Sequence, residues 1–221
     1  MRDGGMREKY TSKKAGTVVR TMGNSRKEQR SMFYKSKITQ KVFQRMKGKS
    51  YKEGCIVPKE DLRYLRMLYG GFDGKVHIGE MVVNKKIANE VLAIFYKLYL
   101  KKYPIQRMVL IDEYNADDDK SMAANNTSCF NYRPVKGTTR LSKHSYGMAI
   151  DVNPLYNPYI HTMNGKVVCE PEGSEKYSDR SRNFPYKITK KDRCFKLFTK
   201  YGFRWGGDWN TKKDYQHFQK S

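Results

Sequence analysis

Apolar positions are sparse and aperiodic over the first 35 residues and then gather into short runs. Within 38–46, Val42, Phe43 and Met46 hint at a short basic helix. Pro58 followed by 60–69 reads as a helix start, with Leu62, Leu65 and Leu68 on one face. Gly70, Gly71 and Gly74 then break the chain. The clearest helix is predicted over 85–102. There Ile87, Val91, Ile94, Phe95 and Leu98 fall at i, i+4, i+7, i+8 and i+11, one buried stripe. Tyr103-Pro104 stops it.

Downstream the runs shorten. Residues 108–111 and 128–133 predict strands, separated by an acidic, Asn-rich loop over 116–126. Weak alternation over 147–152 predicts a further strand, and 153–181, broken by Pro and Gly, reads as a long loop of the kind usually tied to function. A helix over 190–201 carries Cys194, Leu197 and Phe198 and ends at Gly202, before short strands around 203–205 and 215–219. Helices early and strands late predict an α+β fold, a small antiparallel sheet flanked by helices. The longest apolar stretch, Val91 to Leu100, is interrupted by Lys97. It is far below the roughly 18–20 residues a membrane span requires. No fixed internal repeat is present.

Charge changes this picture. The 221 residues carry 45 Lys and Arg against 22 Asp and Glu, a net +23, and 16 of those cations fall in 1–52 with only three acidic residues. Residues 1–50 are therefore expected to be a basic, flexible arm, and 51–221 the folded domain, whose 13% aromatic content can support a packed core. A polyanionic partner is the natural inference. Nucleic acid, anionic lipid and the teichoic acids of a bacterial wall all fit. Cysteines 55, 129, 169 and 194 include no CxxC pair, which argues against a zinc-finger or redox motif and permits free thiols or two disulfides. No apolar secretory signal is visible at the N-terminus, so the expectation is export by another route, an internal role, or a leader outside this sequence.

The candidate chemistry lies in two dense polar stretches, 142–151 and 214–217. His144, Asp151 and His217 form a two-His, one-carboxylate set suited to zinc, with a coordination position left open for water. Asp214, three residues before His217, could reach that water as a general base. Against this, a His near a carboxylate is more often an ordinary surface pair or a satisfied core residue. His77 and His161 read as structural or surface residues. The Asp117-Asp118-Asp119 run lacks the Gly and distal Glu of an EF-hand and reads as a solvated loop.

Ser142-x-His144-x-x-Gly147-x-Ala149-x-Asp151 resembles the SxHxxGxAxD signature of the zinc D-alanyl-D-alanine peptidase family, whose relatives include L-alanyl-D-glutamate endopeptidases and hedgehog-fold proteins. Five fixed residues at that spacing arise by chance in a chain this long about once in ten thousand. Asp214-x-x-His217 is similar to the family's second element, and Gly206-Gly207-Asp208-Trp209 resembles the Gly-Gly-x-Trp that leads into it. The resemblance covers roughly 52–218, is strongest from Asn126 onward, and leaves the basic arm unexplained.

The resemblance implies a hedgehog-like fold and a zinc peptidase acting on peptidoglycan stem peptides, at D-Ala-D-Ala or L-Ala-D-Glu bonds. His144, Asp151 and His217 would be the zinc ligands and Asp214 the general base. Arg133, with Arg140 as fallback, would support the tetrahedral intermediate, and Ser142 would hold the substrate near the metal. Trp209 and Tyr156 are candidate substrate contacts, with Tyr159 a further candidate for the cleft wall. Many members carry Glu where this chain has Asp214, and Asp is usual in the endopeptidase branch. The protein is expected to act as a monomer, outside the cell or in the wall, with anionic wall polymers as possible partners of the arm. Two readings from other classes stand beside this one: a non-catalytic wall-binding module of the same fold, and a basic nucleic-acid-binding protein. The first has no need of all four site residues. The second rests on the arm and its aromatics Tyr10, Phe33 and Tyr34, without a helix-turn-helix, zinc-finger or RNP signature.

Overall fold

In the computed structural model, which describes residues 10, 12–21 and 23–221, the largest element is a hairpin where a helix was expected. Strands β3 (Leu62–Gly70) and β4 (Val76–Asn84) pair antiparallel along their whole length, from Leu62 opposite Asn84 to Gly70 opposite Val76. The i, i+3 spacing of Leu62, Leu65 and Leu68 mimicked a helix because this strand is covered on both sides. Leu65, Met67 and Tyr69 join one core cluster, while Leu62 and Tyr64 join another. A strand buried on both faces loses the alternation that announces a strand.

The described part of the expected arm is built into this sheet. β1 (Val18–Val19) adds to the free edge of β4, and β2 (Tyr34–Lys37) adds to β3, giving the order β1-β4-β3-β2. Between them lies α1 (Arg26–Ser31), opened by a capping box in which Ser25 and Glu28 bond each other's backbone N–H. α2 (Gln40–Met46) follows, capped by Thr39. Tyr10, Val19, Met32, Phe33, Ile38, Val42 and Met46 are all buried, so residues 10–50 supply core where a flexible arm was expected. Residues 1–9, 11 and 22 lie outside the described residues. Charge concealed this, because the segment is rich in cations and its buried apolar residues are few and widely spaced.

Arg45 on α2 shows the integration most directly. Glu80, buried in mid-β4, accepts from Arg45 Nη1 and Nη2 at 2.9 and 2.5 Å and from Tyr64 Oη at 2.6 Å. Burial alone would raise the Glu80 pKa; the hydrogen bonds and charge of Arg45 outweigh it and hold it below the usual carboxylate value.

The predicted long helix is α3 (Ala88–Leu100), whose stripe of Ala88, Val91, Leu92, Ile94, Phe95 and Leu98 is buried against the sheet. Residues 108–110 are buried without forming a strand, and Ile111–Tyr114 is a 3-10 turn. The acidic loop contains a short helix, α4 (Asp118–Ala123), which Asp117 caps. Segment 128–133 is not a strand: Ser128 bridges Asp151, and the backbone N–H groups of Phe130, Asn131 and Tyr132 donate to the Val82, His144 and Ser50 carbonyls. The long loop 153–181 contains a hairpin, β6 (Tyr159–Met163) with β7 (Lys166–Glu170), turned at Asn164-Gly165, where both residues have positive φ.

Two further small sheets complete the described chain. β5 (Ala149–Asp151), β8 (Arg204–Trp205) and β10 (His217–Gln219) form one with β10 central, and β9 (Lys213–Asp214) adds to β6 in the other. α5 (Arg193–Lys200) ties the halves together. Its Phe198 packs on Phe95 of α3 at 6.1 Å and on Phe218 of β10 at 4.4 Å between ring centroids. The whole is α+β with antiparallel sheets, although the strands of the largest sheet come early rather than late. All four cysteines are free, and no described helix is long and apolar enough to cross a membrane.

Candidate metal centre

β5 and β10 pair so that Asp151 lies directly opposite His217. Partners opposite each other on adjacent strands project to the same face, so this register alone joins a carboxylate to an imidazole across 66 residues. His144 comes from the 3-10 turn Lys143–Tyr146. The donor atoms converge: Asp151 Oδ1 is 3.0 Å from His217 Nδ1, Asp151 Oδ2 is 3.1 Å from His144 Nε2, and the two imidazole nitrogens are 3.2 Å apart.

The other constant residues of the first motif have local reasons. Ser142 caps the turn, its Oγ accepting the His144 N–H at 3.3 Å. Gly147 has φ +64°, and a Cβ there would stand 2.7 Å from the Asn84 backbone nitrogen, which donates to the Gly147 carbonyl. Ala149 is fully buried on β5. In the second motif, a Cβ on Gly206 would meet the Asp214 carbonyl oxygen at 2.6 Å and the His217 Cβ at 3.2 Å. The bare glycine thus lets the turn lie against the site.

Each imidazole is oriented through its far nitrogen. His144 Nδ1 donates to the Cys129 carbonyl at 2.6 Å, leaving Nε2 as the inward donor atom. His217 Nε2 donates to Gln219 Oε1 at 3.1 Å, leaving Nδ1. Neither partner was singled out from sequence. Gln219 was findable, since residues two apart on a strand share a face; the Cys129 carbonyl carries no side-chain signal.

This donor set fits a metal ion. Two neutral-capable imidazoles and one carboxylate suit zinc, and a tetrahedral ion with bonds of about 2.0–2.1 Å separates its donors by roughly 3.3 Å, close to the spacing seen. Burial opposes ionisation of Asp151, yet the charges and hydrogen bonds of His144 and His217 prevail and hold its pKa far below the usual range. Burial likewise opposes protonation of His217, but Asp151 prevails and raises that pKa to about 9.

Asp214 stands beside the set, with Oδ2 3.9 Å from His217 Nδ1 and its buried Oδ1 without a hydrogen-bond partner. Burial raises its pKa to about 7. Trp209 lies against His217, ring centroids 5.3 Å apart. The structure thus gathers His144, Asp151, His217, Asp214 and Trp209, with Ser142 at the base of the turn. Tyr156 and Arg133 have other contacts. Tyr156 packs among Phe72, Tyr177 and Tyr186. The Arg133 guanidinium pairs with Asp118, while its backbone bonds Ser142 and Ser145 and so supports the His144 turn. Arg140 is exposed in the stretch between Pro134 and Leu141, which bridge each other. His77, stacked on Tyr69, and His161, stacked on Tyr159, stand apart from the cluster.

No curated protein and no solved structure shows a significant match to the chain. A family model does: the model described as D-alanyl-D-alanine carboxypeptidase matches residues 136–220, a segment holding His144, Asp151, Asp214 and His217. Over that segment, the one that brings the three donor atoms together, the chain is similar to the D-alanyl-D-alanine carboxypeptidase family.

Proposed function

We propose that this protein is a zinc-dependent peptidase that hydrolyses peptide bonds in peptidoglycan stem peptides, on a hedgehog-like arrangement of its catalytic half, and that it works at the cell wall. The convergence of three oriented donor atoms within 3.0–3.2 Å, with an unpaired carboxyl alongside, carries the reading.

Zinc held by His144 Nε2, Asp151 and His217 Nδ1 would supply Lewis acidity, polarising the scissile carbonyl and acidifying water. The remaining work belongs to the chain. Asp214, with a pKa lifted to about 7, takes a proton from the attacking water and returns it to the leaving amine, a task that favours a pKa near the working pH. Gln219 and the Cys129 carbonyl keep both imidazoles in the tautomer that leaves their inward nitrogens free. Arg133 is the candidate for the developing oxyanion, and there it must exchange Asp118 for the substrate. Trp209 walls the site on the His217 side. The excess of cations suits an acidic polymer as the surroundings of the substrate. A retained Asp214 favours this reading over a non-catalytic module.

Metal analysis and digestion of purified peptidoglycan test it together. Wild type should carry about one zinc per chain and release new amino termini, with mass spectrometry of the fragments naming the bond. His217→Ala should lose both. Asp214→Asn should keep the metal and lose roughly 100- to 10,000-fold in rate. Protein that binds zinc without cleaving any stem peptide would turn the assignment towards a binding module, and protein that binds none would end it.

A further inference from the structure

One cation at the rim of the metal centre, Lys212, acts on Asp214 through its charge but forms no direct ion pair among the described residues. Lys212 lies in the short connection between the 3-10 turn Gly206–Asp208 and β9, two residues before Asp214. Its Nζ stands over two aromatic faces, 5.3 Å from the Trp209 ring centroid and 5.5 Å from that of Tyr159. Both rings belong to the site. Trp209 lies against His217, and Tyr159 is paired in register with Asp214 through the β6–β9 contact. The ammonium is therefore held at the cluster by cation–π contacts that leave its hydrogen-bond donors available. Neighbouring lysines are spoken for: Lys213 donates to the Gly207 carbonyl, Lys190 pairs with Asp208, and Lys136 pairs with Glu170. The Lys212 charge works against burial to lower the Asp214 pKa, but among the described residues no carboxylate lies in direct contact with its ammonium.

We infer that Lys212 anchors the substrate: its ammonium binds a free carboxylate of the stem peptide next to the bond that is cut. The inference rests on the peptidase reading and deepens it. Such a carboxylate has two sources, the C-terminal carboxylate of a terminal D-Ala or the α-carboxylate of D-Glu, and the chemistry of recognition is the same for both. An aromatic-flanked, half-buried ammonium satisfies an anion best, so a neutral amide in the same place leaves it unpaired.

The test compares three forms of a stem pentapeptide: the free acid, the form amidated at the D-Glu α-carboxylate, and the form amidated at the C-terminus. Wild type, Lys212→Met, which keeps the aliphatic stem on the rings, and Lys212→Arg, which restores charge, are assayed for kcat/KM on each. Binding of the same peptides is followed in parallel by NMR titration. Wild type should prefer the free acid over one of the two amides by roughly 10- to 100-fold. That preference should fall to near one in Lys212→Met and return in Lys212→Arg, and the amide that is discriminated against names the source. A preference that persists in Lys212→Met overturns the inference and leaves the peptidase reading standing. If wild type cleaves none of the peptides, the peptidase reading fails, and the titration decides Lys212 separately. Acid binding at least about tenfold tighter in wild type than in Lys212→Met supports it; equal binding, or none, overturns it.

Discussion

At the scale of single residues, the site depends on which imidazole nitrogen carries the proton, and the two histidines secure this differently. His144 donates to a main-chain carbonyl, which no substitution removes, whereas His217 donates to a side chain, Gln219. Gln219→Ala should therefore weaken metal binding by roughly 10- to 100-fold with the three ligands untouched. Competition against a chromophoric chelator measures this, and an unchanged affinity would show that the Gln219 contact is incidental. The pKa of His217 adds a pH dependence. In the metal-free chain Asp151 outweighs burial and holds the imidazolium up to about pH 9. Metal must displace that proton, so apparent affinity should climb with pH until about 9, and binding at pH 7 should release protons. Calorimetry in buffers of different ionisation enthalpy counts them. The same linkage acts on the stability of the metal-free chain. Because the folded pKa is raised, the His217 contribution is complete below the unfolded value of about 6.5 and is lost as pH rises through about 9. Denaturation midpoints of metal-free protein across that window should fall accordingly.

At the scale of elements, the site is an agreement between turns and strands, and glycines mark where they touch. Gly147→Ala combines a positive φ with a Cβ 2.7 Å from the Asn84 backbone nitrogen, so either the His144 turn or the end of β4 must move. A loss of about 2–4 kcal/mol is expected. Gly206→Ala meets the backbone of Asp214 at 2.6 Å and should disturb the proposed general base more than the fold. Chemical denaturation paired with kcat separates the two. The first variant should show its main effect in the denaturation midpoint and the second in turnover, and the reverse pattern would mean that the turns are not what aligns the site. Both glycines were visible in the motifs, but their reasons were not. Each clash lies with an element distant in sequence or folded back upon the turn.

At the scale of the whole molecule, residues 10–50 are structural. They contribute β1, β2, the buried Met32 and Phe33 after α1 and the buried face of α2, together with Arg45, which neutralises Glu80 in mid-sheet. A chain of residues 51–221 would leave that carboxylate buried without its main partner and expose Leu62 and Val82, so it should not fold. Circular dichroism and a ¹H–¹⁵N spectrum decide this; a folded truncation would show that the sheet can close without β2 and α2. Arg45→Met isolates the electrostatic part and should cost about 3–5 kcal/mol. Local sequence determined the candidate chemistry: the residue types of the proposed metal centre, their motif spacing, the carboxylate proposed as general base, and the one long helix whose apolar stripe repeats at the helical period. Those features are written in residues close together, where periodicity and spacing can be read directly. Tertiary structure alone decided three other matters. It made 62–70 a strand, because burial on both faces erased the alternation. It folded in the basic segment, because its few apolar residues find partners only across the sheet. It set the direction of the His144 imidazole, through a carbonyl 15 residues away that carries no side-chain signal, and brought Asp151 opposite His217 by the pairing of β5 with β10.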